Sequence, residues 1–462
     1  MPNTVSSLIS EWVAGLNFEG IPSPLIDDVK FRILDVIGLS IVGGTTPFGR
    51  SVRAAGRALH PSGPAQLFGC AGRSSVVGAA FVNGALSQAL EFDDTHNESI
   101  VHMSGPAVVS SLALAEARKA DGRDVMRAVV IANEISARIG SAAPGQFHKR
   151  GFHPTGLFAP FGIAWSAGAM LGLDPVQMTH AAGIVGSFAA GLLECWVDGA
   201  QSKFLHPGWA TQGGISAAYL AHAGTTGPVA VLEGRFGLFA SHLQGAGLAD
   251  PDKIVAGLGD DWKCHDASFK PYPAAHVIHP YLDAALRLRS EHGIAARNIA
   301  RIICPVAPYI VGIVCEPLEE KRRPRSDSHG RVSLQYSLAE ALVRGRLDRY
   351  SYAEESLNDP HILALADRVE FEVDPSFPGP ERFKGQVRLF LDDGRCLEAI
   401  EEFNRGSPQN PMSPSDIIAK FETNVSGVLA RADAQRLVEQ VLSLEQQKDI
   451  ACLAALTRGS HD

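Results

Sequence analysis

The sequence predicts a mainly α protein, with a large all-helical domain and a smaller α+β unit set into it. Three observations carry this. Apolar residues recur at helical spacing from the N-terminal region to about residue 265, with no strong strand pattern among them. Alternating, strand-like runs are confined to about 270–405. From residue 413 the helical pattern returns and runs to 456. The expected division is 1–267 with 406–462 for the helical domain and 268–405 for the α+β unit.

Residues 24–42 open the helical series: Ile26, Val29, Ile33, Val36 and Ile37 share one face, and Gly43-Gly44 ends it. Residues 51–59 predict a second helix, stopped by Pro61. Residues 76–90 predict a third, made largely of Ala, Gly and Val; small side chains let helix axes approach closely, so this one is expected to be buried. Helices at 107–117 and 124–139 follow, the second stopped by Gly140. After a loop at 141–150, Gly151-Phe152-His153-Pro154-Thr155-Gly156 opens a helix to Leu171. Asp174 and Pro175 start the next, expected to reach about residue 193, and Gln201 to Gly208 leads into another at 210–223. Beyond Trp262 the texture changes. Prolines make 268–273 extended. Residues 280–290 and 335–347 read as helices, and 299–305, 368–373 and 386–391 as strands. Asp392-Asp393-Gly394-Arg395 reads as a hairpin turn into a strand at 396–400. The basic run Lys321-Arg322-Arg323-Pro324-Arg325 reads as a solvated loop.

Bulk composition narrows the function classes. A net charge of −9 argues against a nucleic-acid surface or an anionic membrane surface, while local cations still leave room for a small anionic substrate. The 7 cysteines are scattered, odd in number and never in a Cys-x-x-Cys pair, which argues against a disulfide framework or a zinc knuckle. A reducing compartment, the cytoplasm, is the expected location. Residues 1–20 lack a basic start followed by an apolar run, so no signal peptide is expected. No uninterrupted apolar run reaches membrane-spanning length.

Between the third and fourth helices lies a polar island, residues 91–106, with Glu91, Asp93, Asp94, Glu98, His96 and His102. Burying such a segment is costly unless its groups are paired or used. His153-Pro154, His206-Pro207 and His279-Pro280 each place an imidazole before a proline-led helix, where the helix end favours a bound anion. Lys203 precedes His206 closely, and Lys270 sits in the apolar-flanked Phe269-Lys270-Pro271-Tyr272-Pro273. A metal site was weighed at His276 with His279, and at His96 and His102 with Asp93 and Asp94. The first pair straddles a helix start, neither set has zinc-type spacing, and no metal is expected. No nucleophile elbow, phosphate loop or dinucleotide fingerprint is present.

Taken together, these motifs resemble the MmgE/PrpD family of 2-methylcitrate dehydratases, cis-aconitate decarboxylases and iminodisuccinate epimerases. The resemblance rests on Glu91-Phe92-Asp93-Asp94-Thr95 with His102-Met103-Ser104-Gly105, then Gly151 to Gly156, Lys203-Phe204-Leu205-His206-Pro207-Gly208, Lys270-Pro271-Tyr272-Pro273 with His279, and Ser333-Leu334-Gln335-Tyr336. It implies a large all-helical domain, built from N- and C-terminal segments, with a smaller α+β lid domain, and also a homodimer and chemistry without a cofactor. It also implies an active site of Glu91, Thr95, His102, His153, Lys203, Lys270 and Tyr336. From the residues themselves, Lys203, Lys270, His279, His206 and Asp93 are the candidate substrate contacts, Asp93 and Asp94 reading first as structural pairing or capping groups. Two departures stand out: cis-aconitate decarboxylases usually carry Asp where this chain has Glu91, and the spacing from Thr95 to His102 is one residue longer than theirs.

The residue types suit acid/base chemistry on a small di- or tricarboxylate. Lys203 and Lys270 would hold carboxylates, His102 or His153 would move a proton on carbon, Thr95 and Tyr336 would orient or relay, and Glu91 would set a histidine's tautomer or charge. A metal-independent lyase, dehydratase or decarboxylase, is the leading expectation. An isomerase acting as epimerase of an aminodicarboxylate such as iminodisuccinate is the alternative, because each reaction passes through a carbanion-like or enolate-like species that fixed cations stabilise. A non-catalytic helical scaffold is the third reading, though it would not require lysines and histidines from five separate segments.

Overall fold

Helix Ser23–Gly43 is buried along most of its length and anchors the computed structural model, which describes residues 3–459. It packs against Val76–Gln88, Ser104–Arg118 and, from the far end of the chain, Pro414–Val425. Lys420 on that last helix pairs with buried Asp35 (2.8 Å) and donates to the Phe92 carbonyl (2.9 Å), so the C-terminal segment reaches the polar island directly. Helices Gly122–Ser141, Pro154–Leu171 and His206–His222 complete the packing around the island. The protein is mainly α.

Helix Val76–Gln88 lies unusually close to His206–His222. A Cβ added at Gly208 would meet the Phe81 carbonyl oxygen at 2.3 Å, and one at Gly84 would meet the Gly208 Cα at 3.0 Å. Only glycine permits this approach, and it brings the turn carrying Lys203 to the foot of the island.

Apolar side chains gather in two main cores. One draws on residues 5–267 and 421–456, the other on 274–399. On that basis we propose the boundaries at 268 and 406 as those of the domains. The second core is built on a four-stranded sheet ordered Val369–Val373, Ile299–Val306, Gly385–Leu391, Cys396–Glu401, parallel at the first pair and antiparallel thereafter. Helices His279–Glu291 and Leu334–Arg344 pack with it. Arg331 joins the two parts: its buried guanidinium donates to the carbonyls of Leu90 and Pro273, each at 3.0 Å.

Several local expectations need correction. The helix from Pro175 ends at Val185, short of residue 193, because the following backbone bonds to the start of helix Pro154–Leu171 and the loop before it: Ala190 N donates to Gly156 O, and Leu193 N to Gly151 O. The last helical stretch is three helices, Pro414–Val425, Arg431–Leu442 and Ala451–Leu456, the first break holding Gly427 at a φ of 79°. Helix Val5–Gly15, capped by Thr4 and Ser7, had gone unread. So had the two-residue strand Thr95–His96, paired antiparallel with Ala267–Ser268, because two residues carry no period. Lys321 is not solvated: it is buried, and its ammonium donates to the carbonyls of Ile313 and Val332, both at 2.8 Å. Among the described residues no helix is long and apolar enough to cross a membrane.

Candidate active site

The polar island is held in place by its own carboxylates. Asp94 accepts from Ser104 N (3.2 Å) and Ser104 Oγ (2.5 Å) at the start of helix Ser104–Arg118, and pairs with the buried Arg32 guanidinium at 2.6 Å. Arg32 in turn donates to the Ala267 carbonyl (2.9 Å), fixing the strand that pairs with Thr95–His96. Asp93 accepts from Gln88 (3.1 Å) and lies 3.4 Å from His102 Nδ1 and 3.8 Å from the Lys270 ammonium. His102 N donates to Thr155 Oγ1 at 2.9 Å, which ties the island to the Phe152-His153-Pro154 segment. Asp94 is thus a structural cap and ion-pair partner, and Asp93 stands behind the groups that line the site.

Those groups surround a cavity of about 440 Å³ between the helical part and the sheet-containing part. Glu91, Thr95, His102, His153, Lys203 and Lys270 form its polar side. Trp196, Val277, Tyr309, Ile313 and Phe383 form an apolar wall. Glu91 adopts a left-handed backbone (φ 51°), which turns its side chain between the two lysines. Lys203 is in direct contact with the Glu91 carboxylate. Lys270, with no solvent exposure, sits 3.6 Å from the same carboxylate and donates to the Glu91 carbonyl at 3.1 Å.

Burial alone would raise the Glu91 pKa, but Lys203 and Lys270 outweigh it and hold the carboxyl down at about 2. Asp93 moves the other way: burial raises it, and Lys270 offsets only part of the rise. Burial, reinforced by Lys270 and Lys203, lowers His102 to about 3. Burial and Lys203 likewise push His153 well below the ordinary histidine value. At neutral pH the site therefore holds neutral imidazoles beside an ammonium–carboxylate cluster.

Hydrogen bonding assigns the His102 tautomer. Its Nδ1 lies 2.9 Å from the Asp94 carbonyl oxygen, which only accepts, so Nδ1 carries the proton and Nε2 is the basic nitrogen. Thr95 Oγ1 supports the same Nδ1 at 3.2 Å. His153 stands beside His102, ring centroids 5.6 Å apart, with its Nδ1 turned 2.8 Å from His206 Nδ1.

Four predicted residues do not line this cavity: Asp93 stands behind it, and three others lie elsewhere. Tyr336 is buried in the sheet-side core; its hydroxyl donates to the Ser351 carbonyl (3.2 Å) and its ring packs by Tyr352. His279 is fully buried and donates through Nε2 to the Ala274 carbonyl at 3.1 Å. His206 lies behind His153, on the wall of a separate outer groove. The shared reason for the two histidines is backbone geometry. Only His153 is extended before its proline (φ −82°, ψ 111°); short 3₁₀ turns run straight into the other two helices, leaving His206 and His279 helical.

Sequence reasoning missed several lining groups. His276, considered only as a metal ligand, lines the cavity; the Asn404 amide donates to its Nε2 (2.9 Å). His148 and Trp196 line it together, ring centroids 5.1 Å apart, from short turns whose few residues show no period. Buried nitrogens of three lining side chains, His153 Nε2, His276 Nδ1 and Trp196 Nε1, have no hydrogen-bond partner among the described residues. Among the described residues no group of three or more His, Cys, Asp or Glu side chains is arranged to hold a metal ion.

Comparison with known proteins gives a consistent assignment. Residues 7–250 match the MmgE/PrpD N-terminal domain and residues 272–446 the MmgE/PrpD C-terminal domain. A cis-aconitate decarboxylase of Aspergillus terreus is 30% identical over 470 residues, covering 98% of this chain and 95% of the relative. The human cis-aconitate decarboxylase is 28% identical, covering 99% and 95%. A cis-aconitate decarboxylase-like protein of Aspergillus oryzae is 25% identical, covering 98% and 97%.

Proposed function

The chain belongs to the MmgE/PrpD family, and from that membership and the site's geometry we propose that it is a lyase that decarboxylates a small unsaturated tricarboxylate of the cis-aconitate kind. The observation that carries the reading is the convergence of Lys203, Lys270 and two neutral imidazoles on one cavity. Two ammonium groups anchor substrate carboxylates as point charges, the second held rigid by its full burial. The bond to the departing carboxylate breaks, carbon dioxide leaves, and the electron pair passes into the remaining conjugated carboxylate as an enolate-like species. Lys203 and Lys270 stabilise that charge where it develops. One proton is then added to carbon, and His102 and His153 are the groups placed to handle it. Glu91 stands between the two lysine side chains and aims them. The cations do the electrostatic work, so the reaction is proposed to need no metal or other cofactor. We also propose a homodimer, on the family resemblance and to be tested by sedimentation, and a cytoplasmic location, on the scattered cysteines.

The deciding experiment incubates the protein with cis-aconitate, 2-methylcitrate and iminodisuccinate in heavy water. Release of carbon dioxide from cis-aconitate with one deuteron entering the product is the expected result. Water loss from 2-methylcitrate alone makes the enzyme a dehydratase. Deuterium exchange into an aminodicarboxylate without net loss of mass from the carbon skeleton makes it an epimerase.

A further inference from the structure

His206 reaches neither the cavity nor a carboxylate, yet it makes one close contact that its neighbours in sequence do not. Its Nδ1 lies 2.8 Å from Nδ1 of His153. Two imidazole nitrogens at that distance share a single proton: two bare lone pairs or two N–H groups would repel. Gly191 holds the pair in register. Its carbonyl accepts from His153 N (3.0 Å), and a Cβ there would come within 3.2 Å of His206 Nδ1. With Nδ1 used, the nitrogen of His153 left for chemistry is Nε2, which has no hydrogen-bond partner among the described residues. His153 is 2% exposed and lines the cavity; His206 is half-buried and lines the outer groove with Leu205 and Trp209. The pair therefore spans the wall between the cavity and the outside.

We propose that His206 and His153 form a two-imidazole relay that carries a solvent proton to the carbon left by decarboxylation, His206 acting through His153 without touching substrate. The inference rests on the decarboxylase reading, in which each turnover loses carbon dioxide and takes up one proton. The steps balance. The N–H bond at His153 Nε2 breaks as the C–H bond forms; the shared proton moves from His206 Nδ1 to His153 Nδ1; and His206 Nε2 takes a proton from water in the groove. Both rings end as the opposite tautomer and exchange back with solvent before the next cycle.

The test replaces His206 by Phe, which keeps a ring, and by Gln, which keeps a polar side chain but relays no proton. Carbon dioxide release is followed with and without added imidazole. Both variants are expected to lose at least about tenfold in kcat with KM within about twofold of wild type; His206→Ala, which leaves room for a free imidazole, is expected to lose as much and to recover rate with added imidazole in a saturable way. Wild-type kcat in either folded variant overturns the relay. A loss in His206→Ala that imidazole does not restore also overturns it, since a merely structural role would behave so. Wild-type protein that releases no carbon dioxide from any tricarboxylate overturns the functional reading and the relay with it, whereas wild-type turnover unchanged by His206→Phe overturns the relay alone.

Discussion

Glu91→Gln keeps the size of the side chain and removes its charge. Lys203 and Lys270 hold the Glu91 carboxyl at about 2, against an ordinary value of 4.5. At about 1.4 kcal/mol for each tenfold in proton affinity, that separation corresponds to about 3 kcal/mol of native-state stability. The figure meets the lower end of the roughly 3–5 kcal/mol lost when a buried ion pair is left with one partner. The sign is fixed by linkage. The folded pKa lies below the unfolded one, so the contribution is complete above pH 4.5 and fades as pH falls toward 2. Urea unfolding followed by circular dichroism, repeated from neutral to acid pH, reads both magnitude and slope. Glu91→Gln is expected to be about 3 kcal/mol less stable at neutral pH, with the gap to wild type narrowing only below pH 4.5. A variant within about 1 kcal/mol of wild type at neutral pH, or a gap that does not narrow in acid, refutes the ion-pair argument.

Other outcomes follow from the same geometry. Lys203→Ala and His153→Ala are each expected to reduce turnover by at least about 10²-fold with the circular dichroism spectrum unchanged; near wild-type rates in both would sink the site assignment. Tyr336→Phe removes a hydroxyl bonded to the Ser351 carbonyl outside the cavity, so turnover should stay within about twofold while stability drops by about 1 kcal/mol; a tenfold loss of rate would return Tyr336 to the active site. Extensive chelation should leave full activity, and a loss restored by added metal would overturn the cofactor-free mechanism.

Much of this arrangement was readable before any coordinates. The small-residue composition of 76–90 foretold a helix that others could approach closely, and the glycine contact with His206–His222 is that approach. The island at 91–106 announced itself by its density of charge, because so many polar groups between two apolar helices must be paired or used. Glu91, Thr95, His102, His153, Lys203 and Lys270 are the residues the fold brings to one cavity. What stayed hidden was orientation. Tyr336 sits in the first turn of Leu334–Arg344, where rotation about the helix axis decides between core and cavity, and no periodic signal distinguishes the two. His279 and His206 were displaced from the expected helix-cap position by a 3₁₀ turn of a few residues. The Arg32–Asp94 pair joins residues 62 apart, and nothing local in either segment names the other. His148 and Trp196 come from turns too short to show a pattern.

The contact between Gly84 and Gly208 makes catalysis sensitive to a place where no chemistry occurs. A methyl at Gly208 would stand 2.3 Å from the Phe81 carbonyl oxygen. The two helices would have to part by roughly 1 Å, a displacement that can cost about 10²-fold in rate when it moves a reacting group. Lys203 and His206 lie immediately before that glycine, so the separation would reach the ammonium beside Glu91 and the imidazole behind His153 together. An inherited or engineered alanine here is expected to cost stability, about 1–3 kcal/mol for an overpacked core, and to slow turnover as well. In a survey of variants it would look like an active-site lesion, although its own atoms touch only another helix.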